Sequence, residues 1–292
     1  MKNILKKGNI EIGIYSKGAE LFSYKVDGEE FMWEANPEIW GASSPILFPF
    51  VGTIKGQKYF YDGKEYIITT RHGFVRTEEF ELIERTENAL KFKFSSNEET
   101  LKKYPFEFDL YITYTIDKDT LEVKYNVVNR TSGKMYFSIG AHPAFALKVN
   151  NEISLDDYYL ELEKDEKVRR VSLMENGLAI RKDSADYFLD GEDRIDINAN
   201  VFNEDAIIFE NIKSKKVAIK CKKNSKKLEM DFEGFPFIAF WSKPKAPFIC
   251  LEPWYGITDF EDTVGNLENK KGIEELDIND EFTAKFKIKA EL

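Results

Sequence analysis

Hydrophobic and polar residues alternate in short runs along most of this chain, and turn-forming residues separate the runs. Ile10, Ile12 and Ile14 share one face of a strand over 9–15. Lys17-Gly18 marks a turn, and Asp27-Gly28 and Asp62-Gly63 are hairpin dipeptides. Runs 80–85 and 89–95 pair around Glu87-Asn88. Runs 106–117 and 121–129 pair around Asp117-Lys118-Asp119. Further strands are predicted over 135–140, 205–210, 216–221, 227–232, 237–242 and 247–251. A closing strand over 282–292 puts Phe282, Ala284, Phe286 and Ile288 on one face and Lys285, Lys287 and Lys289 on the other.

Three stretches depart from alternation. Residues 44–52 are apolar but contain Pro45 and Pro49, which predicts an ordered lining loop rather than a central strand. Residues 96–104 predict the clearest helix, with Ser96 as cap, Glu99 completing a capping box and Pro105 as the stop. Residues 150–203 are mixed, with several turns and no strong helix, and 265–275 read as a loop or short helix. No Gly/Ser-rich or Pro-rich seam divides the chain. Roughly twenty short strands and one helix predict a single all-β domain over 1–292, a large antiparallel β-sandwich.

Composition narrows the function. Hydrophobic residues make up 42% and charged residues 32%, which describes a globular chain and not a disordered one. The net charge of -10 argues against nucleic acid as a partner. Lys213, Lys215, Lys216 and the lysines of 220–227 read as a solvated hairpin and turn. No apolar run approaches the ~20 residues of a membrane span, and the N-terminus lacks the apolar core of a signal peptide, so the expectation is a cytoplasmic protein with no membrane partner. Cys221 and Cys250 are too few for a disulfide framework and read as small buried residues. No two Cys or His fall at short ligand spacing, so no metal is expected.

The chain has only two histidines. His142 lies in Gly140-Ala141-His142-Pro143-Ala144-Phe145, and His72 in Arg71-His72-Gly73-Phe74. Each alone is more often structural than catalytic. Glu252, in Leu251-Glu252-Pro253-Trp254, is a carboxylate inside an apolar run, and such a group is seldom buried without a partner. Two imidazoles and a carboxylate form a candidate acid/base set. Trp40, Trp241 and Trp254 read as core or as an apolar platform under a ring-shaped ligand. There is no GxGxxG, Walker or Gly-x-Ser-x-Gly motif.

Together these stretches resemble the aldose 1-epimerase (galactose mutarotase-like) family, and within it the bacterial branch found with lactose-utilisation genes. The resemblance spans nearly the whole chain, through 45–52, Asp62-Gly63-Lys64-Glu65-Tyr66, His72-Gly73-Phe74, Tyr104-Pro105-Phe106, 140–145 and 251–259. It implies a supersandwich fold and a cofactor-free isomerase that interconverts the α and β anomers of a free hexose. It implies His142 as proton donor, Glu252 as base, and His72 and Asp205 as sugar-binding residues. At reference pKa values of ~4.3 and ~6.5, both groups would hold the required form near neutrality. The family carries an arginine where this chain has Thr53. Lys55, on the same face of an extended segment, is the preferred substitute, with Arg71 the other. Two alternatives share the fold: a hexose-phosphate epimerase, with Lys55, Arg71 and Arg76 near the motifs, and a non-catalytic sugar-binding protein.

Overall fold

The computed structural model describes residues 1–180 and 186–292. Its largest element is a nine-stranded antiparallel sheet. The strands run, in spatial order, Leu189–Asp196, Tyr158–Val168, Lys216–Cys221, Lys227–Asp231, Glu281–Glu291, Thr120–Asn129, Phe108–Asp117, Ala89–Ser95 and Glu81–Arg85. Facing it is a sheet ordered Ile207–Glu210, Phe237–Trp241, Phe248–Tyr255, Ile139–Ala141 and Ile46–Leu47, with Ala144–Ala146 as a further partner of Phe248–Tyr255. A four-stranded N-terminal sheet over residues 2–30 adds to these. The predicted all-β sandwich is therefore the observed class.

The alternating strands behave as period-2 patterning requires. In Glu281–Glu291, Ala284, Phe286 and Ile288 are buried and the intervening lysines are exposed. The inner faces meet through aromatics: Tyr255 lies 4.8 Å from Phe282 and Phe235 lies 4.9 Å from Tyr255, ring centre to ring centre. One apolar cluster extends from Leu5 to Ala290. The lysine-rich stretch is the hairpin of Lys216–Cys221 and Lys227–Asp231, and both cysteines are free and buried.

Four readings need correction. The helix is Glu98–Lys103, capped by Asn97 rather than Ser96. The Asn97 side chain takes the Glu99 and Thr100 amides, and the Thr100 hydroxyl closes the box. Residues 150–203 hold the eleven-residue strand Tyr158–Val168, whose charged half hides the alternation. Its Glu166 is buried because it accepts from the Ser214 amide (2.7 Å) and hydroxyl (2.8 Å). The run 135–140 is two strands in different sheets, Met135–Phe137 and Ile139–Ala141. Finally, Phe248–Tyr255 runs straight through Pro253. Leu251 donates to Pro143 O on the Ile139–Ala146 side, so the absent Pro253 donor falls on that same side, where the ladder is interrupted.

Candidate active site

That interruption builds the site. Phe248–Tyr255 pairs with Ala144–Ala146 at one end, Ala144 opposite Cys250, and with Ile139–Ala141 at the other, Gly140 opposite Trp254. Both pairings keep one register. His142 and Pro143 occupy the gap between them, and the register sets His142 opposite Glu252. Cross-strand neighbours on one face bring their side chains together. His142 Nε2 lies 3.2 Å from Glu252 Oε2. Ala239 pairs Glu252 from the other neighbouring strand and leaves room above the carboxylate. Gly140 is required here, because a Cβ would stand 2.5 Å from Trp254 Cδ1.

His142 and Glu252 line a cavity of about 340 Å³ together with His72, Arg71, Arg76, Asp205, Lys243, Trp40, Trp241 and Trp254. Trp40 stacks on the His142 ring at 5.0 Å, and Trp241 meets it edge-on at 5.6 Å. Trp40 reaches this place because the Trp33 indole donates to Trp40 O and the Trp33 amide to Ala144 O. Trp254 forms part of the wall, with its indole N–H donating to Ala141 O at 3.2 Å. A separate cavity of about 230 Å³, against Phe31, Phe145, Tyr158 and Cys221, contains neither histidine nor Glu252.

His72 arrives from a strained turn. It has φ +67, and Gly73 beside it has φ +71. A Cβ on Gly73 would lie 2.1 Å from Phe48 O, so only glycine fits. The His72 amide donates to Gly52 O (2.8 Å), and its Nδ1 accepts from the Gly52 amide (3.0 Å). This assignment puts the ring proton on Nε2, which is left as a donor for the cavity. Arg71 Nη2 stands 3.6 Å from Asp205 Oδ2 at the half-exposed mouth.

The structure does not bring Lys55 into this group. Its Nζ donates to Thr263 O at 3.0 Å, outside the cavity lining. Thr53 also stays out: its amide donates to the Thr258 hydroxyl and its carbonyl accepts from the Asp259 amide. Among the described residues, the charged donors that do line the cavity are Arg71, Arg76 and Lys243. Lys243 was not foreseen, since it lies in a turn with no motif around it.

Burial changes the proton inventory of the pair. Glu252 is pushed well above the ordinary carboxylate range by desolvation, with Arg71 pulling the other way. His142 is pushed down to about 3, again mainly by burial, with Arg71 and Arg76 adding to the effect. His72 is held well below the usual imidazole value by burial and by His142. The expectation of near-reference values is therefore corrected. The two shifts are opposed: burial disfavours the charged form of each group, so the carboxyl group binds its proton more tightly, and the imidazole more weakly, than either would in water.

The comparisons with known proteins agree with this architecture. The sequence profile of the aldose 1-epimerase family matches residues 1–265. The plasmid-encoded Protein LacX of Lactococcus lactis subsp. lactis is 35% identical over 274 residues, 91% of each chain. A galactose mutarotase related enzyme from Lactobacillus acidophilus superposes with a TM-score of 0.93 at 34% identity, covering 100% of this chain and 98% of that one. A galactose mutarotase-like protein from Lactobacillus casei gives a TM-score of 0.91 at 28% identity, with both chains covered in full. The chain thus belongs to the aldose 1-epimerase family and is an isomerase.

Proposed function

We propose that the protein interconverts the α and β anomers of a free hexose by general acid/base catalysis, acting as a single domain in the cytoplasm. The observation that carries this reading is the buried His142–Glu252 contact of 3.2 Å at the base of a cavity walled by tryptophans and polar donors. The ring oxygen and the anomeric hydroxyl of a pyranose are bonded to the same carbon. Two groups this close address both oxygens at once.

In the bound complex the sugar hydroxyls and Arg71 stabilise Glu252 as a carboxylate, with the pair's proton on His142. Glu252 then removes the anomeric O–H proton while the His142 imidazolium protonates the ring oxygen. The C1–O5 bond breaks to give the open-chain aldehyde. Rotation about C1–C2 and reclosure, with acid and base exchanging roles, presents the other anomer. The chain's own residues account for every proton, and the reading includes no cofactor. Positioned proton transfer commonly contributes roughly 100- to 10,000-fold. His72 Nε2–H and Asp205 orient hydroxyls, and Trp241 and Trp254 cover the ring's apolar face.

A second reading has a specific observation in its favour. Arg71, Arg76 and Lys243 all line the cavity, and such cations suit a phosphorylated hexose. The test is polarimetry or NMR exchange with galactose, glucose and their 6-phosphates. A kcat/KM higher for the free sugars supports the first reading. A higher value for the phosphates, lost in Arg76→Ala, supports the second. No acceleration of any aldose would refute both.

A further inference from the structure

We propose that His142, Cys250 and Glu252 form a binding site for a thiophilic divalent cation of the zinc and cadmium class, and that the bound ion shuts the cavity to sugar. The claim about activity rests on the acid/base reading above, whereas the claim about binding does not.

Cys250 and Glu252 are two residues apart on Phe248–Tyr255, so their side chains share a face. His142 meets that face across the gap in the ladder. One ligand atom from each residue lies within 4.8 Å of the other two. Three donor types, imidazole nitrogen, thiol sulfur and carboxylate oxygen, converge on one buried point, and borderline-soft ions accept this mixture.

The geometry is close to that of an ion site. Zinc bond lengths and tetrahedral angles place N and O ligands about 3.3 Å apart, and S about 3.5 Å from either. The imidazole and carboxylate already stand 3.2 Å apart. The sulfur would close by at most about 1.3 Å, within the reach of a side-chain adjustment. A second observation points the same way. Glu252 Oε2 is buried and makes no hydrogen bond among the described residues, its contact with the imidazole lying outside hydrogen-bond geometry. Such an atom in a folded interior calls for a partner. His142 and Glu252 also border the cavity, which gives the ion a route in and leaves its fourth position facing the sugar space.

Binding would displace the thiol proton, so affinity rises with pH. The ion would take the nitrogen and oxygen lone pairs through which the protons move, and turnover would stop.

The test titrates the metal-free protein with Cd²⁺ and follows the ultraviolet thiolate-to-cadmium charge-transfer band. Galactose mutarotation is followed in parallel, with and without chelator. One equivalent should develop the band in the parent and in Cys221→Ser, but not in Cys250→Ser or Cys250→Ala. Mutarotation should fall as the band grows and return with chelator, and Cys250→Ser should need about tenfold or more extra metal for the same inhibition. No band at one equivalent, or a band that persists without Cys250, would overturn the site. A rate that rises with bound metal would overturn the inhibitory role. The band is read without any activity, so the site is tested even if galactose is no substrate.

Discussion

Lys270→Met should cost this protein several kcal/mol although residue 270 touches no part of the cavity. Lys270 and Asp259 form an ion pair at 2.7 Å in which both side chains are only 4% exposed. Lys270 Nζ also donates to Ile257 O at 2.6 Å, and Asp259 Oδ2 accepts from the Lys55 amide at 2.9 Å. The pair thus ties the segment after the glutamate strand to residues 53–55, next to the Gly52 peptide that clamps His72. Burial lowers the Lys270 pKa, with Asp259 opposing the shift. Removing the lysine leaves Asp259 buried without its counter-charge, a change that costs about 3 to 5 kcal/mol. With an unfolding entropy of ~2.1 cal/mol/K per residue, a chain of this size should lose on the order of 5 to 8 °C in Tm. Differential scanning calorimetry reads the shift, and a guanidinium titration gives the free energy independently. Lys270→Met/Asp259→Asn should recover part of the loss, because it removes the stranded charge and keeps an acceptor for the Lys55 amide. A Tm within about 1 °C of the parent for the single variant, on a scale where 1 kcal/mol is about 1.6 °C, would refute the reasoning.

Arg71→Ala should weaken sugar binding by about one to two orders of magnitude, the worth of a hydrogen bond to a charged group, while Lys55→Ala should leave it unchanged; calorimetric titration with galactose separates them. Gly73→Ala should destabilise the fold by at least 1 to 2 kcal/mol for its left-handed backbone alone, visible in urea unfolding, and raise KM by displacing His72. The pH profile follows from the opposed shifts of the pair. Ordinary values would confine the singly protonated pair to roughly pH 4.3–6.5. With His142 held down to about 3 and Glu252 shifted upward, the acid limb of the rate should move from about 4.3 down to about 3. A kcat/KM whose acid limb stays near pH ~4.3 would contradict the shifts.

The sandwich was legible because most of its strands bury one face only, and hairpins such as Asp62-Gly63 announce themselves through turn chemistry. Tyr158–Val168 was not legible, because Glu166 is buried on a partner, Ser214, that is remote in sequence. The residues His72, His142 and Glu252 that line the candidate site stood out in the sequence as separate motifs and through their likeness to a family. The geometry of the site was not legible. That Glu252 faces His142 depends on one register kept across a broken ladder, and nothing local to either residue encodes it. The reading of Lys55 as a stand-in for a missing arginine assumed an extended segment open to the cavity. The backbone of 53–55 is instead committed to Thr258 and Asp259.

The most direct test of the proton pair is saturation-transfer NMR of anomer exchange in galactose with the parent, His142→Asn, Glu252→Gln and the double variant, each checked for an unchanged fold by circular dichroism. Each single variant should lower kcat by roughly 100- to 10,000-fold with KM little changed. The double variant should be scarcely worse than either, because the two groups act as a unit. Turnover retained in both single variants, with only KM raised, would show that His142 and Glu252 bind the sugar and do not move its protons.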